Sequence, residues 1–311
     1  MGRQAAAGLA AWAGAAGVRL SVEDDRSDPS RSASLARALA GRADLLFGPY
    51  GSGPGRAVAG AMAGRPEVVW NHGAAATEVT GARVVDVLAP AGSYWRGLPQ
   101  ALGGDAGAVA VVRFPGGFGA EVARGAAAAL AGAGSPAVAE LGYDEAPPSE
   151  VVARAAAAGA RWVAGGGRME DDLALGRAAA AAGLGAALVV CGVAAVAEEL
   201  GDAVLGWLGP VQWDGDVSRL PVPLPAGSDY PAAQALAAGI LAGRALERAG
   251  SSDPDALWAA ALGLRETTFL GPFAVDARGR QVAHAPAIVR WEAAPGGPLR
   301  RVVWRPSPAG A

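Results

Sequence analysis

Short apolar runs alternate with alanine-rich stretches of helical period along most of this sequence, and few folds accommodate that rhythm. Residues 18–24 (VRLSVED), 43–49 (ADLLFGP), 66–71 (PEVVWN), 107–114 (GAVAVVRF), 137–143 (AVAELGY), 161–167 (RWVAGGG) and 186–192 (AALVVCG) read as strands. Between them, 31–41, 53–64, 119–134, 149–159 and 169–183 carry helical spacing. The pattern predicts βαβ units, that is, an α/β fold of parallel sheets with helices on both faces. Right-handed crossovers then put every strand-to-helix loop on one edge of a sheet. In open sheets of this kind a ligand binds outside the carboxyl ends of the strands.

Two loops on that expected edge stand out. GPYGSG (48–53) and NHGAAA (71–76) each follow a strand, and their small residues let a ligand approach backbone N–H groups. Tyr50, Trp70, Tyr94, Phe118 and Trp213 sit at or near strand ends or connections, where rings either pack inward or line a cleft. Rings together with free amides suit a small carboxylate-bearing organic ligand. His72 ends a strand and reads either as a hydrogen-bonded loop histidine or as a ligand contact. His284, in QVAHAP, reads as a solvated surface histidine. Glu170, Asp171 and Asp172 read as the charged first turn of a helix.

Composition removes several alternatives. The net charge of -3 arises from 26 basic and 29 acidic residues spread along 311, which gives no footprint for nucleic acid. A length of 311 residues favours two lobes. Cys191 stands alone, so no internal disulfide forms and no cysteine-histidine cluster has metal-ligand spacing; its apolar setting predicts a buried thiol. The glycines at 48, 51, 53 and 55 match neither a dinucleotide fingerprint nor a P-loop, and Ser52 lacks the spacing of a hydrolase elbow. No catalytic residue, cofactor or metal site is therefore expected. The alanine and glycine excess reflects genome composition rather than disorder, because apolar periodicity survives. No stretch reads as a membrane span, and the opening residues lack the pattern of a signal peptide.

The later sequence changes character at a proline-rich connection, 205–231, before a long helical run, 230–250. Ser252, Asp253 and Pro254 start another helix, and Asp276 to Gly279 read as a β-turn between late strands that stitch two lobes together. The chain opens in an amphipathic helix, Gln4 to Ala16, where a doubly wound lobe would open with an interior strand, so the first strand of lobe 1 is expected to be missing.

Residues 18–70, with the acidic stretch Asp25 to Pro29 and the glycine-proline loop ending in Ser52, resemble the early region of branched-chain amino acid-type solute-binding proteins of ABC transporters, the type I periplasmic binding proteins. LGWLGPVQW (205–213) and the closing region from Tyr230 to Glu292 are similar to the same family. The resemblance implies two doubly wound lobes, 1–91 with 215–280 and 92–214 with 281–311, joined by three crossovers near Pro90, Trp213 and Arg280. It implies a small ligand held between the lobes and enclosed by hinge motion, with delivery to a permease. Ser52 and the backbone of Gly73, Ala74 and Ala75 would hold the ligand's carboxylate, and Phe118 would supply a face, with Tyr50, His72 and Trp213 completing the set. Two departures bear on the ligand. Ala75 replaces a hydroxyl residue common in amino acid binders, and no acid lies around Gly192 and Val193 to pair with an α-ammonium. The ligand is therefore expected to be an amino acid or another small organic acid, aromatic acids included. Extracytoplasmic location follows from the resemblance, with the start of the chain truncated relative to an export signal. A cytoplasmic sensor of the same fold is the alternative, and an enzyme using Ser52 and His72 is a third reading.

Overall fold

An apolar stripe at Ala5, Leu9, Trp12 and Ala13 makes the opening of the chain a helix with one buried face, α1 (Gly2–Ala16). The computed structural model describes residues 1–76, 82–143 and 146–306, so the last residues of the expected C-terminal lobe, 307–311, lie outside the described residues. After α1 come α2 (Pro29–Leu39), β1 (Leu46–Phe47), α3 (Ser52–Met62), β2 (Val68–Asn71) and β3 (Arg83–Asp86). Next are α4 (Leu98–Leu102), β4 (Val109–Arg113), α5 (Gly116–Gly132), β5 (Ala139–Gly142), α6 (Pro148–Ala157) and β6 (Trp162–Gly165). The chain continues through α7 (Met169–Ala181), β7 (Gly185–Leu188), α8 (Ala195–Leu200) and β8 (Leu208–Val211). It ends with α9 (Tyr230–Ala249), α10 (Pro254–Gly263), β9 (Arg265–Thr268), β10 (Gly271–Ala274), β11 (Ala287–Ala294) and β12 (Gly297–Trp304).

These elements form two units. Unit 1 is Met1–Pro90 with Gly215–His284, and unit 2 is Ala91–Asp214 with Ala285–Ala311. In unit 1, β1, β2 and β3 form a parallel three-stranded sheet, and Leu46, Val58, Met62 and Val69 make its core. β9 and β10 form a separate antiparallel pair. The turn expected at Asp276 is present: Gly279 N donates to Asp276 O at 2.9 Å, and Asp276 Oδ1 accepts from Arg278 N and Arg280 N. α2 starts at Asp28, whose carboxylate accepts from Ser30 N and Arg31 N, with Pro29 in the first turn.

The strand expected at 18–24 is not one. That segment is largely exposed and joins no sheet, because a strand needs a lateral partner for its amides and none lies beside it among the described residues. It ends in aspartate turns instead: Asp24 and Asp25 accept from Arg26 N and Ser27 N, and both donors have positive φ. The histidine expected at the surface is also placed differently. His284 is 7% exposed, because the Gln281 side chain accepts from Ala274 N, Ala283 N and His284 N and curls the segment inward.

Unit 2 is built on a seven-stranded sheet of order β12-β11-β8-β7-β6-β4-β5. The five strands from β8 to β5 are parallel, and β11 and β12 add an antiparallel edge. Val112, Phe114, Val163, Leu175, Leu188, Trp207 and Trp291 fill its core, with Cys191 buried among them as expected. The mostly parallel α/β architecture agrees with the alternation in the sequence.

Candidate functional site

In unit 1 the loops after β1 and β2 lie side by side on the carboxyl edge of the sheet, locked by Asn71. Its Nδ2 donates to Ala74 O at 2.7 Å and to Asp86 Oδ1 at 2.7 Å, while its Oδ1 accepts from Ala74 N at 2.9 Å and Gly73 N at 3.2 Å. Two of the three backbone donors expected for a ligand are thus committed within the loop. The Ala75 N–H has no acceptor among the described residues. Ala76 N donates to Ser52 Oγ at 3.2 Å, which ties the second loop to the start of α3. Gly55 on α3 makes this approach possible, because a Cβ there would collide with the Cβ of Ala74.

No side chain caps α3, whose N-cap is Gly51. The first amides of the helix therefore face outward at the positive end of its dipole, beside the Ser52 hydroxyl. That hydroxyl accepts from Ala76 N and keeps its own proton to donate. Tyr50 is half-buried, and its hydroxyl donates to Tyr230 Oη at 3.3 Å. His72 turns into unit 1 and is 2% exposed. Burial pushes its pKa down to about 4 against a bond to the Gly48 backbone, so the ring is neutral at pH 7. No hydrogen bond joins it to Ser52. The cavity behind these loops, lined by Gly48, Asn71, Asp86 and Arg280, measures about 30 Å³, room for a water and not for an organic solute.

In unit 2 the carboxyl edge carries Phe118, in the first turn of α5, half-buried and edge-on to Tyr94 at 5.9 Å. Trp213 follows β8, is 5% exposed, and its Nε1 has no acceptor among the described residues. Trp70 and Tyr94 are buried. The candidate residues thus fall into two groups, each on its own unit's edge. Tyr50, Ser52, His72, Gly73, Ala74 and Ala75 lie in unit 1, and Phe118 and Trp213 lie in unit 2. Among the described residues no cluster of three His, Cys, Asp or Glu could hold a metal ion, and no helix is long and apolar enough to cross a membrane.

Two residues important to these edges escaped the sequence reading. Asn71 had a usable signal: an asparagine ending a strand before glycine favours side-chain bonds to the following amides. Asp172 had one too. It is in the first turn of α7 as expected, but helical spacing puts it on the same face as Leu175 and Ala179, and it is 0% exposed. Burial, foremost, raises its pKa to about 7 against bonds from Val190 N and Gly167 N.

A sheet edge of amide-bearing loops on each of two α/β units defines a binding protein architecture. Residues 1–297 match the family model described as "Periplasmic binding protein", and the chain belongs to that family, with the type I fold. Among solved structures, a leucine binding protein, LivK, from Thermotoga maritima superposes with a TM-score of 0.81 at 16% identity, covering 98% of this chain and 94% of that one. A solute binding protein of an ABC transporter from R. palustris, in complex with 4-hydroxybenzoate, superposes at 0.79 with 18% identity, covering 97% and 91%. A periplasmic binding protein from Burkholderia mallei does so at 0.78 with 17% identity, covering 97% and 89%. No curated protein matches the chain.

Proposed function

We propose that this protein is the extracytoplasmic solute-binding component of an ABC transporter, and that its ligand is a small acid with an aromatic or aliphatic body. One observation carries the reading. The uncapped amino end of α3, the Ser52 hydroxyl proton and the uncommitted Ala75 N–H adjoin one another on a single sheet edge. An anion there gains from the helix dipole and from charge-assisted hydrogen bonds. Gly73 and Ala74 contribute shape rather than donors, since Asn71 already holds their amides. Tyr50 and Phe118, both half-buried, offer ring surface, the buried Trp213 backs the edge of unit 2, and His72 supports the loop of unit 1.

Of the similar solved structures, one is in complex with 4-hydroxybenzoate and another is named a leucine binding protein. An acid without an ammonium group is favoured here. A buried ammonium needs a carboxylate of its own, and Asp172, buried at the edge of unit 2, has both oxygens occupied by backbone donors. Capture proceeds by closure about the three passages of chain between units, with transfer to a permease and no bond chemistry. Isothermal titration with benzoate, 4-hydroxybenzoate and leucine tests this. The aromatic acids bind more tightly than leucine, and Ser52→Ala weakens benzoate binding about tenfold, or about 1.4 kcal/mol. Absence of binding heat with all three acids would sink the reading.

A further inference from the structure

The loops that follow β6 and β7 in unit 2 contain few side chains able to fix their shape, yet they meet at one fully buried acid. Asp172 Oδ1 accepts from Gly167 N at 2.7 Å, and Asp172 Oδ2 accepts from Val190 N at 2.9 Å. Each oxygen thus holds the backbone just beyond a different strand, Gly165 ending β6 and Leu188 ending β7. On its other side the second loop is anchored by Trp291 Nε1, which donates to Cys191 O at 2.9 Å, and by Arg300, which donates to Gly192 O. Trp95 Nε1 likewise donates to Gly165 O at 3.2 Å.

We propose that Asp172 is a positioning residue whose single carboxylate sets the spacing of the two loops on the carboxyl edge of unit 2. This rests on the reading of that edge as ligand-binding. A neutral amide in the same place could accept only one of the two N–H groups and would turn a donor toward the other. Protonation of the acid weakens the tie in a similar way, because its own O–H then needs an acceptor. The groups facing the carboxylate do not supply a cation. Asp171 lies on the same helix, Tyr143 follows β5, and Cys191 sits in the anchored loop with its thiol pKa raised by burial and by Asp172. The titration falls in the neutral range, so the tie strengthens as pH rises through about 7.

The test follows the amide resonances of Gly167 and Val190 by NMR between pH 5 and 9, in the wild type and in Asp172→Asn. Both resonances shift together through one midpoint in the wild type, and the shared transition disappears in the variant. Resonances that do not titrate, or that titrate unchanged in the variant, would overturn the proposal. Benzoate titration on the same samples reads the consequence: Asp172→Asn, still folded, binds several-fold more weakly. Equal affinity would remove the positioning role. If the wild type fails to bind benzoate, the ligand assignment falls, while the amide resonances still decide whether the tie exists. Should the variant unfold, disappearance of the shared transition is read instead in Asp172→Ser.

Discussion

His72 and Asp172 are both buried without a counter-ion among the described residues, and they pull the pH dependence of stability in opposite directions. His72 is held neutral by a folded pKa near 4, below its ordinary 6.5. Between those values only the unfolded chain takes up the proton, so this contribution to stability is present above about 6.5 and is lost as pH falls toward 4. Asp172 has a folded pKa near 7, above its ordinary 3.8. Between those values only the folded chain keeps the proton, so stability falls as pH rises from about 4 to 7 and then levels. The two slopes largely cancel over the shared window. Thermal unfolding followed from pH 4 to 7 is therefore nearly flat for these two groups in the wild type. His72→Gln uncovers a loss of stability with rising pH, and Asp172→Asn uncovers a gain. Parallel slopes in both variants would contradict these assignments.

At the level of elements, unit 1 contains a closely packed helix pair. α1 lies so close to α9 that a Cβ at Gly8 would collide with the Ala232 carbonyl, and one at Gly239 would collide with the Trp12 indole. Gly239→Leu therefore costs about 1–3 kcal/mol, read by urea unfolding, whereas the same change in an open position would cost little. The segment 18–24 shows the opposite condition. Hydrogen-deuterium exchange is expected to leave the amides of 19–23 nearly unprotected and to find β2, which is paired on both sides by β1 and β3, protected. Slow exchange at 19–23 would show a strand partner and overturn the assignment. The longer helices and most strands were legible because period alone specifies them, whereas the short α4 and α8, β3, and β8 inside the proline-rich stretch 205–231 were not. Segment 18–24 was misread because its alternation marks strand propensity, whereas pairing depends on a neighbour that no local pattern encodes. His284 was misread for a related reason, since its burial follows from the side chain of Gln281 rather than from its own neighbourhood in sequence.

For the whole molecule, the alternation of elements was enough to specify the α/β class, and the motifs around Asp25, Ser52 and the closing region were enough for the family. The candidate edge residues were legible as loop positions after strands. Which amides remain available was not, because that depends on Asn71 spending its oxygen on Gly73 and Ala74. The central claim is that an acid's carboxylate sits at the amino end of α3. A crystal structure of the protein with benzoate tests it most directly. The account predicts carboxylate oxygens within hydrogen-bond distance of Ser52 Oγ and Ala75 N. A carboxylate bound elsewhere, with those two groups left to solvent, would contradict it.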